Sequence, residues 1–101
     1  MKLIELNIQQ IINLCKLHKV KSLFVFGSIL TERFNDKSDI DLLVDFEPID
    51  HREFDYVTNF FNFRDALESI FDRKVDLIEQ KGLKNKYLID NVNKTKQLIY
   101  G

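Results

Sequence analysis

The sequence is short of the features that would take it out of ordinary globular folding. It has a single cysteine, Cys15, so no internal disulfide can form. A lone thiol in a helical pattern fits a reducing compartment and reads as a small core residue. No apolar run is long enough to span a bilayer. Met1-Lys2-Leu3-Ile4 begins as a leader would, but Glu5, Asn7, Gln9 and Gln10 break the apolar stretch. The expectation is a soluble, cytoplasmic protein with no membrane partner. Charge of one sign is lacking too: 15 Lys+Arg face 16 Asp+Glu, a formal net charge of -1. That balance argues against direct nucleic-acid binding. Repeats, linkers and low-complexity segments are absent.

What is present is apolar material. The chain has 101 residues, 45% of them hydrophobic, with nine Phe and three Tyr. That suits one core and a single domain over residues 1–101. Asn7 and Gln10 have the spacing of a capping box, followed by Ile8, Ile11, Ile12, Leu14 and Cys15 on a helical face. Ser22–Phe26 is short, apolar and rich in strand formers, and Gly27 ends it. Residues 31–38 are polar and turn-prone. Asp39–Phe46 reads as a second strand, stopped by Pro48. Asp50-His51-Arg52-Glu53 offers a second capping box before a helix with Phe54, Val57, Phe60, Phe61, Leu67, Ile70 and Phe71 at helical spacing, whose core face is taken to include Phe54, Val57 and Phe61. Phe60 and Phe63 are left as candidates for an exposed docking patch. Lys74–Glu79 is a third strand and Tyr87–Val92 a short helix. Gln97–Tyr100 reads as an edge strand rather than a last helical turn. The order α-β-β-α-β-α, with that short last strand, predicts an α/β fold: a small mixed sheet flanked by helices. His18 and His51 are read as isolated surface residues. Lys81, Lys84, Lys86, Lys94 and Lys96 are read as a solvated face.

The chemistry lies in three aspartates and one turn. Residues i and i+2 of a strand share a face, so Asp39 and Asp41 project together, about 7 Å apart at Cα. Taken alone, such a pair is more often two solvated carboxylates. Asp76 has the same setting as Asp41, an apolar residue on each side, and joins that face if the third strand lies beside the second. A third carboxylate among strand hydrophobics is costly unless paired or ligating. Gly27-Ser28, directly after a buried strand, permits a tight turn whose backbone N–H groups and Ser28 hydroxyl could cradle an anion. If the first two strands are antiparallel neighbours, cradle and carboxylates meet at one end of the sheet. Oxygen ligands beside a phosphate cradle suit a Mg²⁺-bound nucleoside triphosphate.

Gly27-Ser28, ten intervening residues, Asp39-Ile40-Asp41 and the later strand aspartate Asp76 together resemble the minimal nucleotidyltransferases of the DNA polymerase β-like superfamily. The resemblance runs from the first helix to the end of the chain. It implies a nucleotidyltransferase that moves a nucleoside monophosphate, AMP from ATP, onto a hydroxyl acceptor and releases pyrophosphate. It implies catalytic and metal-binding roles for Asp39, Asp41 and Asp76, two Mg²⁺ ions, and phosphate binding by Gly27 and Ser28. It further implies a HEPN-domain toxin as partner and acceptor, modified on a tyrosine, with this chain as the antitoxin. The sequence departs from the family in one segment. Relatives often carry arginine and glycine just after Gly-Ser, where this chain has Ile29, Leu30, Thr31 and Glu32; Arg33 is the candidate substitute. The alternative reading is an antitoxin that occludes a HEPN ribonuclease without catalysis.

Overall fold

The computed structural model describes residues 2–48, 52 and 54–101. Its first helical segment is two helices, α1 (Lys2–Leu6) and α2 (Ile8–Leu17). Asn7 lies between them, but its side chain does not cap α2. Its Nδ2 instead donates back to the Leu3 carbonyl at 2.9 Å. The expected Asn7–Gln10 box is therefore not formed: a helix already precedes Asn7, and its last carbonyls take the donor. Ile11 and Cys15 of α2 face the core, as the periodicity predicts.

Strand β1 (Val20–Phe26) pairs antiparallel with β2 (Ile40–Phe46), placing Phe26 opposite Asp41. β2 pairs in parallel with β3 (Val75–Glu79), placing Asp41 opposite Asp76. The last strand, β4 (Gln97–Tyr100), pairs antiparallel with β1, so the sheet order is β3-β2-β1-β4. The edge-strand reading of 97–100 holds, and so does the small mixed sheet flanked by helices.

The sheet has two differently covered faces. Leu23, Val25, Leu42, Val44 and Leu77 point to one, where α2 and the helix α3 (Tyr56–Phe71) build the main core. Phe24, Phe26, Leu43 and Ile78 point to the other. There they meet Val92 of the helix α4 (Lys86–Thr95) in a smaller cluster. α4 leaves one end of this second face open.

The expected capping box over 50–53 lies mostly outside the described residues. The described start of α3 is capped by Asp55, whose carboxylate accepts from the Thr58 N–H and hydroxyl at 3.1 and 2.6 Å. A helix starting at Tyr56 turns its core face to Asn59, Phe63, Leu67 and Phe71. Leu67 and Phe71 are buried as the spacing predicts, but the first turns of the expected face are corrected. Phe63 is fully buried and Phe60 packs against the core, whereas Val57 and Phe61 are 62% and 44% exposed. Phe54 precedes the helix. Nine apolar side chains in sixteen positions offer two stripes, and packing on the sheet chooses between them.

His18 is not an isolated surface residue. Its Nδ1 pairs with Asn59 Oδ1 at 2.8 Å, Asn59 Nδ2 donates to the His18 carbonyl at 2.9 Å, and its ring tilts onto Phe63. The pair ties the end of α2 to the first turn of α3.

Candidate active site

The open end of the second sheet face is built where β1 stops and β2 and β3 start. Gly27 follows β1 at φ +79°, a left-handed conformation that favours glycine. The chain then makes one 3₁₀ turn over Gly27–Leu30. A Cβ at Gly27 would run into the Asp41 carboxylate. Glycine therefore serves two needs here, the turn and the close approach. The Ser28 backbone N–H donates to that same carboxylate. Thr31 closes the turn, its N–H and hydroxyl both donating to the Ser28 carbonyl at 2.9 and 2.8 Å.

Asp41 is the half-buried member of the set, while Asp39 and Asp76 are exposed. Burial pushes the Asp41 carboxyl above the ordinary carboxylate range. The charges of Asp76 and then Asp39 push in the same direction, and the Ser28 hydrogen bond opposes them. The three aspartates thus share one electrostatic site, as their strand positions predict. Asp39 differs from expectation in one respect: β2 begins at Ile40, so Asp39 sits just before the strand.

Such crowding favours a cation, and an all-oxygen donor set suits Mg²⁺. Among the described residues no group of three or more His, Cys, Asp or Glu side chains is placed to hold a metal ion by itself. Mg²⁺ does not need one, since it binds through one or two carboxylates and completes its shell with water and phosphate oxygens. The donor set therefore fits.

Arg33 lies on the exposed loop beyond the turn, its N–H donating to Thr31 Oγ1 at 3.2 Å. A cleft of about 430 Å³ opens beside Gly27, lined also by Leu30, Thr31, Asn91, Thr95 and Gln97. The last three were not expected at a site. They reach it because α4 and β4 return to the end of β1, and that crossing leaves no mark in the local sequence.

A family model described as polymerase beta, nucleotidyltransferase, matches residues 9–101. A protein of Methanocaldococcus jannaschii, provisionally named a protein adenylyltransferase, is 37% identical over 83 residues, covering 82% of this chain and 78% of the relative. The solved structure of a provisionally assigned minimal nucleotidyltransferase superposes with a TM-score of 0.74 at 26% identity, over 93% of this chain and 90% of that one. The fold is also shared with a structure described as a tri-AMPylated Shewanella oneidensis HEPN toxin in complex with its MNT antitoxin. There the TM-score is 0.64 at 23% identity, over 96% of this chain and 71% of that one.

Proposed function

The chain belongs to the polymerase beta nucleotidyltransferase family and is a nucleotidyltransferase, and from that premise we propose that it transfers AMP from ATP to a tyrosine of a HEPN-family toxin, acting as the antitoxin. The observation that carries the reading is Asp41 braced by the Ser28 amide against Gly27 and set opposite Asp76 in the parallel β2–β3 pair. The relative named for adenylyl transfer supports the donor, and the AMPylated toxin in the solved complex supports the acceptor and partner.

In this reading Gly27 and Ser28 receive the outer phosphates, and the glycine allows the backbone to come close. Asp39 and Asp41 would hold Mg²⁺, and Asp76 would join them in holding a second ion. When bound, Mg²⁺ would neutralise charge on the leaving pyrophosphate and acidify the acceptor hydroxyl. Asp76 orients that hydroxyl; an ordinary aspartate is a weak base near neutral pH, so positioning is its main contribution. The acceptor oxygen bonds to the α-phosphorus as the bond to the bridging oxygen breaks. Pyrophosphate leaves, and the hydroxyl proton passes to a carboxylate or water. Arg33 meets the outer phosphates from the loop.

Incubation with α-labelled ATP, Mg²⁺ and a HEPN toxin tests this. Label should appear on the toxin with the wild-type chain and disappear with Asp39→Ala/Asp41→Ala. A toxin neutralised but never labelled would instead identify an occluding antitoxin.

A further inference from the structure

The link between α3 and β3 does more than connect them. After α3 the chain turns through Asp72 at φ +52°, and Arg73 reaches back to the loop that precedes Asp39. Its Nη1 donates to the Asn35 carbonyl at 2.9 Å and to the Ser38 carbonyl at 3.0 Å. Its guanidinium lies 4.6 Å from the centroid of the Phe34 ring. On the other side of Asp39, the Ile40 N–H donates to the Lys74 carbonyl at 3.1 Å. Lys74 is in turn followed by Val75, whose N–H donates to Glu68 Oε2 at 2.9 Å. Both neighbours of Asp39 are thus held by consecutive residues of this link.

We propose that Arg73 is the positioning residue of the metal site, fixing Asp39 relative to Asp76. The inference rests on the reading of Asp39 as a metal-holding carboxylate. Asp39 precedes β2, so the strand ladder does not set where its carboxylate points. The loop before it is polar and exposed, stabilised locally by the Asn35–Ser38 turn. Arg73 supplies the long-range anchor. Asp76 is three residues beyond Arg73, inside β3, so the chain from the link into that strand sets the separation of the first and third carboxylates. A planar guanidinium can stack on Phe34 while bonding two carbonyls, which a lysine ammonium cannot do in the same way. Groups that orient metal-holding side chains typically change metal affinity 10- to 100-fold when removed.

The test uses Mn²⁺ in place of Mg²⁺, with a non-hydrolysable ATP analogue, and reads free Mn²⁺ by electron paramagnetic resonance. Amide exchange at Ile40 is measured in the metal-free protein. Arg73→Met should weaken Mn²⁺ binding roughly 10-fold and speed exchange at Ile40. Arg73→Lys should fall between the two and carries the test if the Met variant does not fold. Asn59→Ala, which loosens the α2–α3 contact away from the site, should keep wild-type Mn²⁺ affinity. Wild-type affinity and exchange in the Arg73 variants would overturn the proposal, as would an equal loss in Asn59→Ala. Wild-type protein that binds no Mn²⁺ would refute the reading of Asp39, and exchange at Ile40 would still decide whether Arg73 holds the loop.

Discussion

At the scale of the residue, Gly27 and Asp41 constrain each other. Alanine at position 27 meets both the positive φ and the Asp41 carboxylate. Its methyl would shift Asp41 by a large fraction of an ångström. Displacements of about 1 Å near reacting groups cost roughly 100-fold in rate, so Gly27→Ala should lower AMP transfer by about that factor in a steady-state assay. Asp41→Asn makes the opposite point about stability. The Asp41 pKa is raised on folding, so ionised Asp41 opposes folding at neutral pH. That penalty is relieved as pH falls through the raised folded value towards the ordinary one. Without metal, Asp41→Asn should therefore melt higher than wild type at pH 7 by calorimetry, with the gap narrowing in acid, while AMP transfer is abolished. A candidate site residue that opposes folding is the expected trade between stability and activity. Cys15 shows the bland case. Burial pushes its thiol up to about 12, consistent with a core residue and no nucleophilic role.

At the scale of the element, α3 shows what local signals can and cannot decide. Its cap was legible only in residue type: an Asp is a favoured N-cap, and the sequence pattern places it at Asp50. Its position was not, because the segment 50–58 holds competing caps. Hydrogen bonds from Thr58 hold the Asp55 carboxyl below its ordinary range. A depressed folded pKa contributes stability above the unfolded value and loses it as pH falls through the folded one. Asp55→Ala should thus lower Tm at pH 7 and converge with wild type in strong acid, by circular dichroism. Asn59 is the polar residue on the buried stripe of the same helix. Asn59→Leu would leave the His18 carbonyl and Nδ1 without their partner, and a buried unmet group costs about 1–3 kcal/mol. Denaturant unfolding should show that loss, with a largely unchanged m-value.

At the scale of the whole molecule, the two sheet faces divide the labour. The face under α2 and α3 supplies most of the buried apolar surface. The face under α4 is covered only partly and leaves the site open. Phe63, at the centre of the first face, contacts Phe46 edge-on and receives the His18 ring. Phe63→Ala should cost about 3–5 kcal/mol, lowering Tm by more than about 10 °C in a chain of this size. Phe61→Ala, on the exposed side, should change Tm little. The contrast is a direct check on the helical phase that the sequence pattern misassigned.

The sequence by itself determined the strands, the turn at Gly27-Ser28 and the candidate carboxylates. Strand alternation and glycine chemistry are local properties, and Asp41 and Asp76 each carry their apolar flanks with them. Tertiary structure decided what no local pattern contains. The parallel β2–β3 register set Asp41 opposite Asp76, and packing against the sheet chose the stripe of α3. The return of α4 and β4 brought Asn91, Thr95 and Gln97 to the cleft. Arg73 and the loop before Asp39 belong with these: 35 residues of sequence separate Arg73 from Ser38, and only the folded sheet brings them within hydrogen-bond distance.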